Sequence, residues 1–133
     1  MELVIKGCVF TGRGEGRFFV ALDWVQEQVE AKLGFKPFPG TLNLKVLPED
    51  REAVKRLSEA EAAIIEPPSR GFCRGRCYKA LLNDSVDVAI VVPEVEGYPE
   101  DQLEVIAPQP LREALGLRDG DLVALKVYLK QEV

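Results

Sequence analysis

Apolar positions in this chain alternate more often than they recur at helical spacing, so strands should dominate. "TLNLKVL" is the clearest case. Successive strand side chains point to opposite faces, so Leu42, Leu44 and Val46 share one face and read as core. Thr41, Asn43 and Lys45 share the other: a hydroxyl, an amide and a cation in a row. That row is either a solvated sheet face or a small polar site, and alternation alone leaves both open.

The same pattern predicts a first strand in "ELVIKGCVF", a glycine-dense turn in "TGRGEGR" and a second strand in "FFVAL", hairpinned to the first. "DWVQEQVEAKLG" has Trp24, Val25, Val29 and Leu33 at helical spacing, with Asp23 as N-cap and Gly34 at the C-terminal end. "KPFPG" turns the chain into the strand at Thr41. "PEDREAVKRLSEAE" reads as a second helix opened by Pro48. "AAIIE" is short and apolar, "RCYKALL" and "DVAIVV" are strands split by "NDS", and "QLEVIA" follows the "PEVEGYPED" loop. "PLREALGL" predicts a short helix closed near Gly116, and "RDGD" turns into a last strand, "LVALKVYLK", ending at Lys130. Several strands are apolar on both faces, as in barrels with covered walls. Strict β-α-β alternation is missing, which excludes a Rossmann-type sheet. The expected fold is mainly β with short helices, a compact β-barrel in a single domain over residues 1–133.

Composition narrows the chemistry. At 133 residues and 47% hydrophobic content, one domain with a real core is expected. No apolar run approaches a membrane span, and the start of the chain reads as a strand, not a leader peptide. A soluble, cytoplasmic protein is therefore expected. A net charge of −5 argues against non-specific nucleic-acid binding, which depends on neutralising phosphates. The basic cluster Arg70, Arg74, Arg76 and Lys79 is either a charged edge or an anion contact. The chain has no histidine, which removes Ser-His and Cys-His nucleophilic catalysis. Cys8, Cys73 and Cys77 lack zinc-site spacing and fit better as small buried hydrophobes. Any catalysis has to run on carboxylates, backbone amides or a metal.

Two further segments could carry it. In "TGRGEGRF" three glycines at alternate positions let the backbone approach a ligand closely and form an anion nest, with Arg13 and Arg17 nearby. The segment is neither a Walker loop nor a G-x-G-x-x-G turn, and a plain glycine-rich hairpin would also explain it. In "YPEDQLEVIAPQPLREALGLRDGD", Glu104 lies between Leu103 and Val105 in a strand and so points away from both. "APQPL" then opens a helix whose free amides suit phosphate, with Arg112 in its first turn.

Taken together, "TGRGEGRF", "GFKPFPGTLNLKV" and "YPEDQLEVIAPQPLREALGLRDGD" resemble the archaeal CTP-dependent riboflavin kinases, in order and spacing over nearly the whole chain. The resemblance implies a cradle-loop barrel of the RIFT-related kind, akin in fold to bacterial swapped-hairpin transcription factors. It implies transfer of the CTP γ-phosphate to the 5′-hydroxyl of riboflavin, giving FMN and CDP. Some family members carry an N-terminal winged-helix domain, whereas this chain is expected to be the kinase domain alone. By resemblance, Gly12, Arg13, Gly14, Glu15, Gly16 and Arg17 would hold the nucleotide, as would Gln109, Pro110, Leu111 and Arg112. Thr41 and Asn43 would bind magnesium. Glu104 would contact the flavin and is the nearest carboxylate candidate for a general base. Glu96 stands where the family often has a threonine against the flavin; an ionised carboxylate there accepts from a ribityl hydroxyl but cannot donate. The expected partners are riboflavin and CTP, with no nucleic acid or membrane, and the expected state is a monomer. A DNA-binding regulator of the same barrel superfamily and a non-catalytic flavin or nucleotide module are the competing readings.

Overall fold

In the computed structural model, which describes residues 1–129, seven strands form one antiparallel sheet. They are β1 (Glu2–Phe10), β2 (Leu42–Val46), β3 (Ala63–Ile65), β4 (Gly75–Leu82), β5 (Val86–Pro93), β6 (Gln102–Ile106) and β7 (Leu122–Tyr128). The sheet order is β3-β4-β5-β6-β2-β1-β7, and β4 also pairs with β7, which closes six strands into a barrel and leaves β3 outside. Closure removes the exposed edges that would otherwise template aggregation. Four helices decorate it: α1 (Glu15–Ala21), α2 (Asp23–Leu33), α3 (Arg51–Ser58) and α4 (Leu111–Leu115).

Two apolar clusters explain the doubly apolar strands. The barrel interior gathers Leu3, Ile5, Val9, Leu42, Leu44, Val46, Ile90, Leu103, Val105 and Leu125, with Leu57 of α3 buried against them. The outer face of β4, β5 and β6 carries Cys77, Ala89, Val91 and Ile106, which pack under Val20 of α1 and Val25, Val29 and Leu33 of α2. In β5 the run Val88–Val91 is buried on both sides for this reason.

The elements at the start of the chain differ from the sequence expectation. "FFVAL" is not a strand: Gly14, at φ 84°, turns the chain into α1, and only Val20 of that helix is fully buried. A short apolar run carries no periodicity that separates strand from helix, and the outer sheet face selects the helix here. Phe18 is left 69% exposed, as one side of a surface helix should be. Asp23 is the first residue of α2 and not its cap; Leu22 holds the cap position and offers no side-chain bond. Gly34 does close α2 in the left-handed region, at φ 85°. The second predicted helix is shorter than expected. Pro48–Asp50 form a 3₁₀ turn, α3 ends at Ser58, and the Asp50 carboxylate accepts from the Lys6 amide at 2.9 Å. Lys130, the last residue of the predicted final strand, lies outside the described residues.

The cysteines form no disulfide. Cys77 is buried, as expected, and burial pushes its thiol up to about 12, so it stays protonated. Cys8 and Cys73 are only half-buried. Two of the four members of the basic cluster are paired: Arg74 lies 3.1 Å from Glu66, and Arg76 lies 4.0 Å from Glu94.

The two faces of the sheet make a direct prediction. Leu44 is 1% exposed inside the barrel, so Leu44→Ala should cost about 2–5 kcal/mol through the cavity it leaves. Phe18→Ala, on the outer side of α1, should stay within about 0.5 kcal/mol of wild type. Chemical denaturation of both variants is the check, and an equal loss for the two would contradict the helical placement of Phe18.

Candidate active site

Strand register builds the site. Asn43 in β2 pairs with Phe10 in β1 on one side and with Glu104 in β6 on the other. Since Leu42 and Leu44 face the barrel interior, Asn43 faces out, and Glu104 beside it does the same. Gly12, two residues beyond Phe10, then passes directly over Asn43. A β-carbon on Gly12 would lie 2.8 Å from Asn43 Nδ2. One turn later, in α1, a β-carbon on Gly16 would lie 2.5 Å from Thr41 Oγ1 and closer still to Glu104 Oε1. The glycine segment is therefore pressed onto the polar row of β2, which answers the question that row posed: it faces a cleft roofed by backbone.

Glu104 is the buried charged residue of the structure, 9% exposed. Burying a carboxylate is costly unless donors meet it, and two do. Thr41 donates its hydroxyl to Oε1 at 3.1 Å, and Tyr98 donates to Oε2 at 2.8 Å. Gln102 donates in turn to the Tyr98 oxygen at 3.3 Å. Burial, reinforced by the Glu104 charge and hydrogen bond, pushes the Tyr98 phenol well above its ordinary range, so it remains a donor. No bond from the Asn43 side chain occurs among the described residues, which leaves its amide free to meet a ligand.

The remaining predicted residues fall into three groups. Gly14 supplies the left-handed turn before α1, whereas the close approaches belong to Gly12 and Gly16. Arg13 and Glu15 are exposed, and the Arg17 guanidinium sits over the Phe18 ring, 5.5 Å from its centre. Gln109, Pro110, Leu111 and Arg112 line a cavity of about 160 Å³ together with Thr41, Leu42 and Phe38, so this segment adjoins the same cleft. The Phe38 amide donates to the Ala107 carbonyl at 2.8 Å and fastens the "PFPG" turn there. Glu96 is exposed in the turn before Tyr98 and is not brought against Glu104 by any bond.

Sequence reasoning missed two participants. Asp119, assigned there to a plain turn, lies 2.9 Å from Arg112 and accepts from Thr11, and Arg112 also donates to Thr11 at 3.2 Å. This cluster ties the start of the glycine segment to α4. The other is Tyr98, whose ring lines a cavity of about 630 Å³ at the barrel mouth with Leu57, Tyr78, Val92 and Leu103. Nothing in the local sequence links either residue to its partner; "YPED" and "RDGD" both look like turns.

Residues 9–127 match the family model CTP-dep_RFKase, described as domain of unknown function DUF120. The chain belongs to this family. It is 44% identical to a riboflavin kinase of Archaeoglobus fulgidus over 94% of its own length and 54% of that protein's. It is 41% identical to a riboflavin kinase of Pyrobaculum islandicum, over 98% of the chain and 63% of the relative. A riboflavin kinase of Methanospirillum hungatei is 39% identical, over 96% and 59%. The chain thus spans between about half and just under two thirds of these curated relatives. In this chain the outward polar row of β2 and the glycine segment pressed onto it are features that a plain barrel does not need.

Gly16→Ala tests that geometry. Inside α1 the change should add up to about 1 kcal/mol of helix stability. The new methyl has to displace Thr41 or Glu104, breaking a hydrogen bond to a carboxylate worth about 1.5–3 kcal/mol. Chemical denaturation should therefore show a net loss of up to about 2 kcal/mol despite the better helix former. A variant more stable than wild type would mean that the Thr41–Glu104 contact contributes little.

Proposed function

We propose that this domain is a CTP-dependent riboflavin kinase, transferring the γ-phosphate of CTP to the riboflavin 5′-hydroxyl with release of FMN and CDP. The observation that carries the reading is the convergence of Gly12, Gly16, Thr41, Asn43 and Glu104 on one cleft. Family membership supports the reaction, the family's name supports CTP as donor, and the cleft offers the kind of surface that reaction needs. Phosphoryl transfer asks mainly for positioning and charge neutralisation, and a histidine-free chain can provide both.

In this reading the glycine segment, Gly12 to Arg17, lies along the nucleotide phosphates, with the small cavity at Gln109–Arg112 taking another part of the nucleotide. Without side chains at Gly12 and Gly16 the segment lies directly against Asn43, Thr41 and Glu104, so that its backbone amides would meet a phosphate beside those polar groups. Thr41 and Asn43 would hold a magnesium ion, and the donor set fits: two neutral side chains carry oxygen ligands beside a cradle that a β-carbon would fill. Among the described residues no group of three or more cysteine or carboxylate side chains forms a separate metal centre. Magnesium commonly takes few protein ligands and completes its shell with water and phosphate oxygens. When bound it would neutralise charge on the transferring phosphoryl group. Glu104 would accept from the riboflavin 5′-hydroxyl or ribityl chain, since each of its oxygens keeps a lone pair beyond those used by Thr41 and Tyr98. Glu96, out in solvent, would serve the flavin at most as an outer acceptor. A DNA-binding role finds no support in the basic cluster, whose Arg74 and Arg76 are paired with carboxylates.

The first test is incubation with riboflavin, magnesium and each nucleoside triphosphate, with FMN measured by chromatography. FMN should form with CTP and poorly with ATP; equal activity with ATP would overturn the donor assignment. The second is a magnesium titration of initial rate. Thr41→Val and Asn43→Leu should stay folded, lose activity at low magnesium and recover in part as magnesium rises. Titration curves superimposable on wild type would move the metal elsewhere.

A further inference from the structure

The hydrogens of the Glu104 cluster can be assigned one by one. Tyr98 has a single hydroxyl hydrogen, and its 2.8 Å contact with a carboxylate oxygen uses it. The phenol oxygen is then an acceptor, which is what Gln102 Nε2 meets at 3.3 Å. Thr41 likewise has one hydrogen and gives it to Glu104 Oε1. Its lone pairs are therefore turned away from Glu104, toward the cleft roofed by Gly16. Gln102, Tyr98, Glu104 and Thr41 form one relay of hydrogen bonds whose donors converge on the Glu104 carboxylate from both sides, and Tyr98 also lines the cavity shared with Leu103 and Val92.

We propose that Tyr98 is a positioning residue of the phosphoryl-transfer site, and that through it Glu104 orients the Thr41 hydroxyl so that its oxygen presents lone pairs to the metal–nucleotide. The inference rests on the reading of Thr41 as a magnesium ligand given above. It makes Glu104 an outer-shell carboxylate of the metal as well as a contact for the flavin. Outer-shell partners that fix a ligand's orientation change metal affinity about 10–100-fold when removed. It also couples the two substrates. A flavin hydroxyl bonded to Glu104 and a cation bonded to Thr41 act on the same carboxylate, so each must alter the affinity of the other by the same factor. The raised phenol of Tyr98 suits the role, because a tyrosine that stays protonated donates at every working pH.

Tyr98→Phe deletes the donor and keeps the ring beside the cavity. The decisive measurement is Mn²⁺ binding to the CDP-saturated protein without flavin, followed by electron paramagnetic resonance. Mn²⁺ affinity should drop about tenfold in Tyr98→Phe, while CDP affinity in chelator stays at the wild-type value. FMN affinity measured with and without Mn²⁺ should show a dependence on metal in wild type that shrinks in the variant. Glu104→Gln provides a second reading should Tyr98→Phe melt early, since a carboxamide cannot accept from Tyr98 and Thr41 on both of its heteroatoms. Wild-type Mn²⁺ affinity in both folded variants would overturn the relay and leave the metal site standing. A wild-type CDP complex that binds no Mn²⁺ would remove the metal assignment at Thr41 and Asn43, and the relay with it.

Discussion

Strand β2 is held between β1 and β6 in a register that sets Phe10, Asn43 and Glu104 side by side. Strand side chains have a period of two, so a slip of β2 by one residue would turn Asn43 and Lys45 into the barrel and expel Leu42 and Leu44. Burying an amide and a cation without partners would cost several kcal/mol, and exposing two leucines would add to that. The register is thus fixed by burial on both faces at once. The floor of the cleft, Asn43 and Glu104, inherits its precision from the core, and the loops that bring in Gly12, Thr41 and Tyr98 close over it.

What lies above that row shows why glycine recurs in "TGRGEGR". The outer sheet face has to be covered, and α1 and α2 cover it with Val20, Val25, Val29 and Leu33. Covering the polar end of the same face with ordinary side chains would collide with Asn43, Thr41 and Glu104. Two glycines at the points of contact let the backbone lie directly on that row. Helix α1 accepts a glycine in its first turn, at a cost of roughly 1 kcal/mol relative to alanine. The buried Glu104 is a second local cost, met by Thr41 and Tyr98. Such departures from the most stable choice cluster where chemistry is done.

The parts of this arrangement that depend on alternation were legible in the residues. "TLNLKVL" and "QLEVIA" assign Asn43 and Glu104 to outward faces because Leu42, Leu44, Leu103 and Val105 claim the inside. Gly34 and Gly116 mark helix ends because left-handed backbone there favours them. "FFVAL" misled because five apolar residues have no period, and what decides their state is the far face of β4 to β6, distant in sequence. Tyr98 and Asp119 were invisible as site residues for a related reason. Each acts across a chain reversal, Tyr98 on Glu104 six residues on and Asp119 on Thr11 across the whole domain. Neither spacing has any local signature.

The Arg112 cluster brings in a question of magnitude. Arg112 was expected to meet the nucleotide, yet it is bonded to Asp119 and Thr11. The Arg112–Asp119 pair is substantially exposed on both sides, and such pairs contribute about 0–1 kcal/mol. A hydrogen bond from a guanidinium to phosphate contributes about 1.5–3 kcal/mol. An arriving phosphate can therefore draw Arg112 away from Asp119 at little cost, or share it, since the guanidinium has five donors. Thr11 opens the glycine segment, so any movement of Arg112 reaches the backbone that leads to Gly12 and Gly16. On the proposed reading, the pair would hold the arginine beside the glycine segment until a phosphate arrives, and its weakness is what would allow the release.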